Sequence, residues 1–514
     1  MPSQQTDHLF TLIKTMSKSE KRHFKLYVNR NQGGQDTKFQ MLFDVLDKSS
    51  SYDEEHILKK ITSIKRQQLS NLKAHLYKQL LVSLRLLHKN KLVDVEIREH
   101  LDYARILYKK GLYLQSLKIL AKIKEVARKQ HLDILHLEIV EFEKLIESRH
   151  ITRSIEGRAD LLSEESDRLM HNIKGSSSLS SLSLRMYGRY LDLGHIRNEE
   201  EGQALEIFFK SKLPKVDQAS LSFFERFHWE TAHTWYNYIK QDWVAYYRNA
   251  SKWVALFDQN PEIREKHPVM YMKGLHNVLN ALFLINNNER FKEQLDKLQS
   301  FYYTNEEKYS TNTHIRAFLY IYMARINQHF MEGTFSKGLE LVPEIAEGLE
   351  KFRINLDLHR SLVFFYKIAC LYFGAGQYAS AIEYLNRVIQ LRIGNLRADI
   401  QCYSRMLHLI AHFELGHYDL LEHLIKSVYR FLLKHQDLSL VHQAVLKFLR
   451  KALGLLPDQV KPAFEALKQQ LIEISNNPFE ARAFLYLDLI SWLEASIERK
   501  TVEEMIRIKF ESNK

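Results

Sequence analysis

His408 and His412 stand at i and i+4, the spacing that puts two imidazoles on one helix face, and His417 and His423 follow closely. Such a pair would hold a zinc ion only with further donors at suitable spacing. No cysteine or carboxylate nearby completes the set, so these read as ordinary surface or groove histidines. His228 and His233, in HWETAH, are offset by five residues and share a helix face poorly. GxxxxGK[ST], GxGxxG, HExxH and GxSxG are all absent from the chain. The usual motif support for phosphate-loop, dinucleotide, zinc-protease and serine-hydrolase chemistry is therefore missing. The expectation is a protein that is not an enzyme and needs no cofactor or metal.

Binding chemistry is better represented. Lys18, Lys21, Arg22 and Lys25 crowd one short stretch, Lys59, Lys60, Lys65 and Arg66 another, and Lys73 and Lys78 follow. Through Lys91 there are 17 Lys plus Arg against 8 Asp plus Glu, a net +9 of the chain's +12. Each cation placed on a phosphate adds salt-dependent affinity. Nucleic-acid contact through Lys21, Arg22, Lys25, Lys65, Arg66 and Lys73 is thus one expectation, set against solvated helix faces or a protein-docking surface. A second cluster is aromatic: Trp229, Trp235, Trp243 and Trp253, joined by Tyr236, Tyr238, Tyr246 and Tyr247. Rings at this density stack on bases or anchor a partner, or else form the core of one helical unit, and their spacing favours the core.

The elements that must position these groups are helical. Only 17 Gly and 8 Pro punctuate 514 residues, too few for the many tight turns of an all-β protein. The amino-terminal stretch lacks a long apolar core or small-residue cleavage site, and no run approaches the roughly 18 apolar residues of a membrane span. Cys370 and Cys402 are too few for a disulfide framework, so a cytoplasmic setting with reduced thiols is expected. Ser17-Lys-Ser-Glu20 is a capping box that opens a helix to about Asn29. Asn31 to Asp36 breaks it, TKFQMLFDVLDK forms a second helix, and Ser49 to Glu54 opens a third. A fourth, about Lys65 to Leu87, carries Leu69, Leu72, Leu76, Leu80 and Leu84. These four make a basic domain over 1–92. Further on, Lys174-Gly-Ser-Ser-Ser-Leu-Ser-Ser181 reads as a loop or hinge.

Residues 365–391 hold Phe365, Ile368, Ala369, Tyr372, Gly376, Tyr378, Ala381, Leu385 and Val388 in an order of large, small, aromatic and glycine positions. This order resembles one tetratricopeptide repeat, an antiparallel helix pair that must stack on neighbours to bury its apolar face. Degenerate copies are tracked by the aromatic following each turn: Tyr113, Trp243, Phe291, Phe335, Tyr378 and Tyr418. In the copies the position of Ala381 is taken by Ser116, Gly338 and Leu421.

The resemblance implies an all-α protein: a right-handed solenoid over 93–475, preceded by the small basic domain and closed by capping helices over 476–514. It further implies that first helices line a concave groove. Their ligand-facing positions would be Val363, Tyr366, Cys370, Phe373 and Gly374 in the best unit, and Tyr403, Met406, Ile410, Phe413 and Glu414 in the next. No cation stands at those positions, so a clamp for a peptide's terminal carboxylate is not expected; an apolar, aromatic groove holding a partner helix or peptide is. Tyr366, Cys370, Phe373, Tyr403, Met406 and Phe413 are the candidate partner contacts. The implied function is a protein-binding scaffold, with a nucleic-acid-binding regulator as the alternative, no membrane partner, and the oligomeric state left open.

Overall fold

The computed structural model describes residues 7–31, 38–89, 92–149, 157–391, 398–435, 438–477, 479–480, 484 and 488–512. Every regular element among them is a helix, and no helix is long and apolar enough to cross a membrane. The chain falls into two compact units, Met1–Ile173 and Lys174–Lys514.

The first unit opens with α1 (His8–Thr15), α2 (Lys18–Asn31), α3 (Lys38–Lys48), α4 (Glu54–Lys60) and α5 (Arg66–His88). The capping box forms as its sequence requires: the Glu20 N–H donates to Ser17 Oγ at 3.2 Å and the Ser17 N–H to the Glu20 carboxylate at 2.7 Å. The break expected after Asn31 lies outside the described residues. Leu69, Leu76 and Leu80 of α5 are buried against Phe24, Leu42 and Phe43, while Leu72 and Leu84 pack at the margin. Ahead of these four helices stands α1, which the sequence reading did not foresee; Asp7 caps it by accepting from the Phe10 N–H at 3.0 Å, and Leu9 and Ile13 enter the same core.

The helices α6 (Val93–Lys109), α7 (Tyr113–Lys129) and α8 (Asp133–Arg149) build a second core around Ile97, Leu101, Ala104, Leu117 and Leu120. Here Ser116 is fully buried and its hydroxyl donates to the Ala104 carbonyl at 2.8 Å, which removes the cost of burying it in place of alanine.

The division between units falls inside α9 (Arg158–Leu193), so the serine cluster is helix rather than loop. Leu179, Leu182 and Met186 recur at helical spacing within it and are buried; this apolar period outweighs the polar composition. The Ser180 hydroxyl bonds back to the Ser177 carbonyl at 3.0 Å, as serine does on a helix.

The second unit continues with α10 (Glu199–Lys212), α11 (Phe223–Lys240), α12 (Trp243–Asp258), α13 (Pro261–Lys266), α14 (Pro268–Leu284), α15 (Asn288–Thr304) and α16 (Thr311–Glu332). Next come α17 (Phe335–Gly338), α18 (Val342–Lys351), α19 (Leu358–Gly374), α20 (Tyr378–Gln390), α21 (Ala398–Glu414) and α22 (Tyr418–Lys434). The last are α23 (Leu440–Ala452), α24 (Pro457–Ser475), α25 (Leu489–Glu498) and α26 (Val502–Ser512). From α14 to α23 longer helices pack on their sequence neighbour, and α14 on α16, α16 on α19, α19 on α21 and α21 on α23.

One device closes the turns. Gly111, His131, Gln241, Asn286, Gly333, Gly376, Gly416 and Arg499 all have φ between 54° and 76°. In each case the next N–H bonds to the carbonyl five residues back: Leu112 to Leu107, Asp242 to Asn237, Asn287 to Leu282, Thr334 to His329, Gln377 to Tyr372 and His417 to His412, all at 2.8 to 3.0 Å. The left-handed residue stands two before Tyr113, Trp243, Phe335, Tyr378 and Tyr418, but five before Phe291. Asn288 therefore holds the position assigned to Phe291, whose ring is fully buried as a core residue one turn further on.

The carboxy-terminal helices do more than cap the end. Trp492 of α25 is buried and donates its indole N–H to Glu414 at 2.7 Å. Helix α26 returns to α16: the Glu503 carboxylate accepts from the Ser336 N–H at 3.2 Å, and a Cβ on Gly333 would meet the Arg507 nitrogen at 2.4 Å. Parts of the expected closing helix, 481–483 and 485–487, lie outside the described residues.

Two stability predictions follow from this packing. Gly376→Ala adds only the left-handed strain, about 1–2 kcal/mol, since open space surrounds its Cβ, whereas Gly333→Ala adds collision with α26 and should lower the melting temperature further. Equal losses would show that α26 does not seat there. Ala381 is fully buried, so Ala381→Leu should cost about 1–3 kcal/mol by denaturant titration.

Candidate functional site

A cleft of about 1080 Å³ runs through the second unit, and it is assembled from stripes on successive helices. Helix α14 gives Lys273, His276, Asn277, Asn280 and Phe283; α16 gives Asn312, Arg316, Tyr320, Met323, Asn327 and Phe330; α19 gives Arg360, Val363, Tyr366, Lys367, Cys370, Phe373 and Gly374. Each set recurs every three or four residues, the signature of one helix face. From α9 and α11 come Tyr187, Tyr190, Trp235 and Tyr238, and from the carboxy-terminal helices Val502, Ile506, Lys509 and Phe510.

The candidate partner contacts divide. Tyr366, Cys370 and Phe373 line the cleft. Tyr403, Met406 and Phe413 do not; the first two are buried in a core with Phe448, Phe464 and Trp492, and the Phe413 ring meets those of Phe448 and Phe464 at 6.0 and 6.1 Å. Glu414 is spent on the Trp492 indole, and burial raises its carboxyl above the usual range. The face of α21 that the sequence assigned to a ligand is thus covered by later helices of the same chain.

The tryptophan cluster divides as well. Trp253 is core, packed edge-on against Phe227 with ring centres 5.1 Å apart, and the two rings border the cleft only from beneath. Trp235 walls the cleft, with Tyr187 and Tyr190 at 4.9 and 5.4 Å. Gly274 lets α14 pass within van der Waals reach of the Trp253 ring, which fixes the rotation of α14 that turns Lys273 to the cleft.

The cations are what the sequence reading missed. Lys273, Arg316, Arg360, Lys367 and Lys509 line the cleft against one carboxylate, Asp488. Lys509 is paired with Glu494 at 2.6 Å and Arg360 with Asp357 at 3.2 Å. Among the described residues no carboxylate lies within 4 Å of Lys273, Arg316 or Lys367. Lys367 donates to the Asn327 side-chain oxygen at 2.6 Å and sits over Phe330 and Phe283 at 5.0 and 5.5 Å. Lys273 sits over Tyr320 and Trp235 at 5.6 and 5.8 Å. Burial lowers both ammonium groups to about 8, with Arg316 and Arg360 adding repulsion at Lys273. His276, stacked on Tyr320 at 4.6 Å, is held well below its ordinary value by burial and then by Lys273 and Lys367. Burial also pushes the Cys370 thiol up to about 12, which disfavours its thiolate. A sequence signal for these cations existed: Lys273 is the sole Lys, Arg, Asp or Glu in PVMYMKGLHNVLNALFL, and Lys367 interrupts LVFFYKIACLYF.

Among the described residues no group of three or more His, Cys, Asp or Glu is placed to hold an ion. His408 and His412 are buried rather than surface residues, and His412 contacts His417 Nδ1 at 2.9 Å and His408 Nε2 at 3.3 Å. His412 offers a different ring nitrogen to each neighbour, as in a hydrogen-bonded chain. Burial lowers His408 to about 4.

In the first unit, three of the six proposed nucleic-acid contacts are engaged at home. Lys21 pairs with Asp47 at 2.6 Å, Lys25 with Asp44 at 2.7 Å, and Lys73 with Asp7 while donating to Tyr52 at 2.6 Å. Arg22, Lys65 and Arg66 are exposed.

A lysine whose proton is held less tightly when folded than when unfolded weakens the fold while charged. Below about pH 8 that cost is fully present; it fades as pH rises from about 8 toward the free lysine value near 10.4. Lys367→Met should therefore raise the melting temperature at pH 7, with the advantage shrinking across that window; a variant no more stable than wild type at pH 7 would refute an uncompensated charge. Compared with known proteins, the chain matches no family model and no curated protein.

Proposed function

We propose that this protein is a non-enzymatic binding scaffold, whose second unit is a tetratricopeptide-like helical solenoid that holds a partner protein's helix or peptide in the cleft. The observation that carries the reading is the cleft itself: a space of about 1080 Å³ walled by matching stripes from α14, α16 and α19, with aromatic and apolar side chains between polar ones. Three further observations support it. Helices pack on near neighbours in sequence. The left-handed turn residues 241, 286, 333, 376 and 416 recur at intervals of 45, 47, 43 and 40. Neither Cys370 nor Cys402 is in a disulfide, in keeping with a reducing, cytoplasmic setting.

Aromatic anchors such as Trp235 and Tyr187 would supply most of the affinity, since large rigid rings dominate interface energy at little entropic cost, with Tyr366 and Phe373 forming the buried floor beneath them. The alternative of a nucleic-acid-binding first unit has less support, because Lys21, Lys25 and Lys73 already spend their charge on Asp47, Asp44 and Asp7.

Site-specific photo-crosslinking in the native host separates these readings. Benzoylphenylalanine in place of Met323 or Cys370, which line the cleft, should capture one partner protein; in place of exposed Tyr429 it should not. Capture of the same partner equally from all three positions, or none from the cleft, would overturn the assignment.

A further inference from the structure

Lys273, Arg316 and Lys367 are an energetic liability in the chain by itself. All three are half-buried, and a cation that loses part of its hydration without gaining a counter-charge weakens the fold. These three project into one cleft from three different helices, each without a carboxylate within 4 Å among the described residues. Arg316 and Arg360 repel Lys273, and Lys273 and Lys367 both act on His276, so the group is close enough to share one field. Low-dielectric walls of Trp235, Tyr320, Phe283 and Phe330 strengthen that field. The missing partner is therefore negative charge brought from outside.

We propose that the cleft recognises an acidic peptide segment, its carboxylates seated between Lys273, Arg316 and Lys367 and its backbone held by the surrounding asparagines. The inference rests on the groove-binding reading and adds the chemistry of the occupant. Asn277 and Asn312 each carry both a donor and an acceptor, the complement of a peptide N–H and C=O, while Asn327 is already engaged by Lys367 and Asn280 by Tyr246. That pairing distinguishes a peptide from a phosphate chain, whose backbone offers acceptors only. Three unpaired cations also match a few carboxylates better than a strand bringing one charge per nucleotide. The aromatic walls accept apolar side chains interleaved with the acidic ones.

The test is selection of a library of random short peptides displayed on phage against the full chain, followed by binding of an enriched peptide and its amide counterpart, with every Asp and Glu changed to Asn and Gln. A fluorescent single-stranded oligothymidylate is run alongside. The expected result is enrichment of Asp and Glu, with affinity falling about tenfold or more for the amide peptide and for Lys273→Met or Lys367→Met. Lys367→Arg, which keeps the charge, should retain most of the binding and so guards against simple misfolding. Peptides enriched without acidic bias, and bound equally by Lys273→Met, would overturn the anionic seat while leaving the groove reading in place. No peptide enrichment, with oligothymidylate bound in a manner lost in Lys273→Met, would overturn both in favour of a nucleic-acid strand.

Discussion

A helix can fold back on its neighbour within two residues only if its last carbonyls find donors and one residue turns left-handed. Eight turns meet that requirement in the same way, with φ between 54° and 76° and a hydrogen bond to the carbonyl five residues back. Everything that positions the cleft depends on this closure. It keeps the connections short, so helices such as α19 and α20 lie side by side. It also sets the phase of the following helix, which is why Ala381 and Ser116, a fixed distance beyond their turns, meet the preceding helix and must be small. Where the helix after the turn is itself broken, as at Gly338 ahead of Pro343, a four-residue helix and a short 3₁₀ turn replace it.

With successive helices phased alike, one face of each is presented to a common space. On α14, α16 and α19 that face holds cations among aromatic rings and asparagines. A fold selected for stability alone would not keep lysines there, because each loses hydration without gaining a counter-charge. The carboxy-terminal helix α26 closes one side of the space by docking on Gly333 and Ser336, so the cleft walls come from segments far apart in the chain.

Much of this was legible beforehand. The capping box at Ser17, the leucine stripe of α5 and the glycine turns at 111, 376 and 416 each follow from a local rule: a side chain answering an orphan N–H, an apolar period, a residue free of Cβ strain. Failures had equally physical causes. The serine cluster around Ser177 read as a loop because composition was weighed over the leucine and methionine period that buries it. Gln241 and Asn286 occupy left-handed turns that glycine would have advertised, and at Asn286 the aromatic marker slipped to Phe291. A repeat pattern assigns Tyr403, Met406 and Phe413 to a groove because the next layer, with Phe448, Phe464 and Trp492, is invisible to it.

The sequence by itself determined an all-helical chain, its turn chemistry and the apolar faces of its helices, because these arise between residues within about five positions of one another. The tertiary structure alone decided which faces stay open. Tyr366 and Met406 occupy matching positions in successive units, yet only Tyr366 reaches the cleft. Likewise Lys73 and Lys367 are both lysines in amphipathic helices, but one meets Asp7 and the other, among the described residues, meets no acid. Whether a charge is paired or a ring is covered depends on segments tens to hundreds of residues away, and no local pattern records that distance.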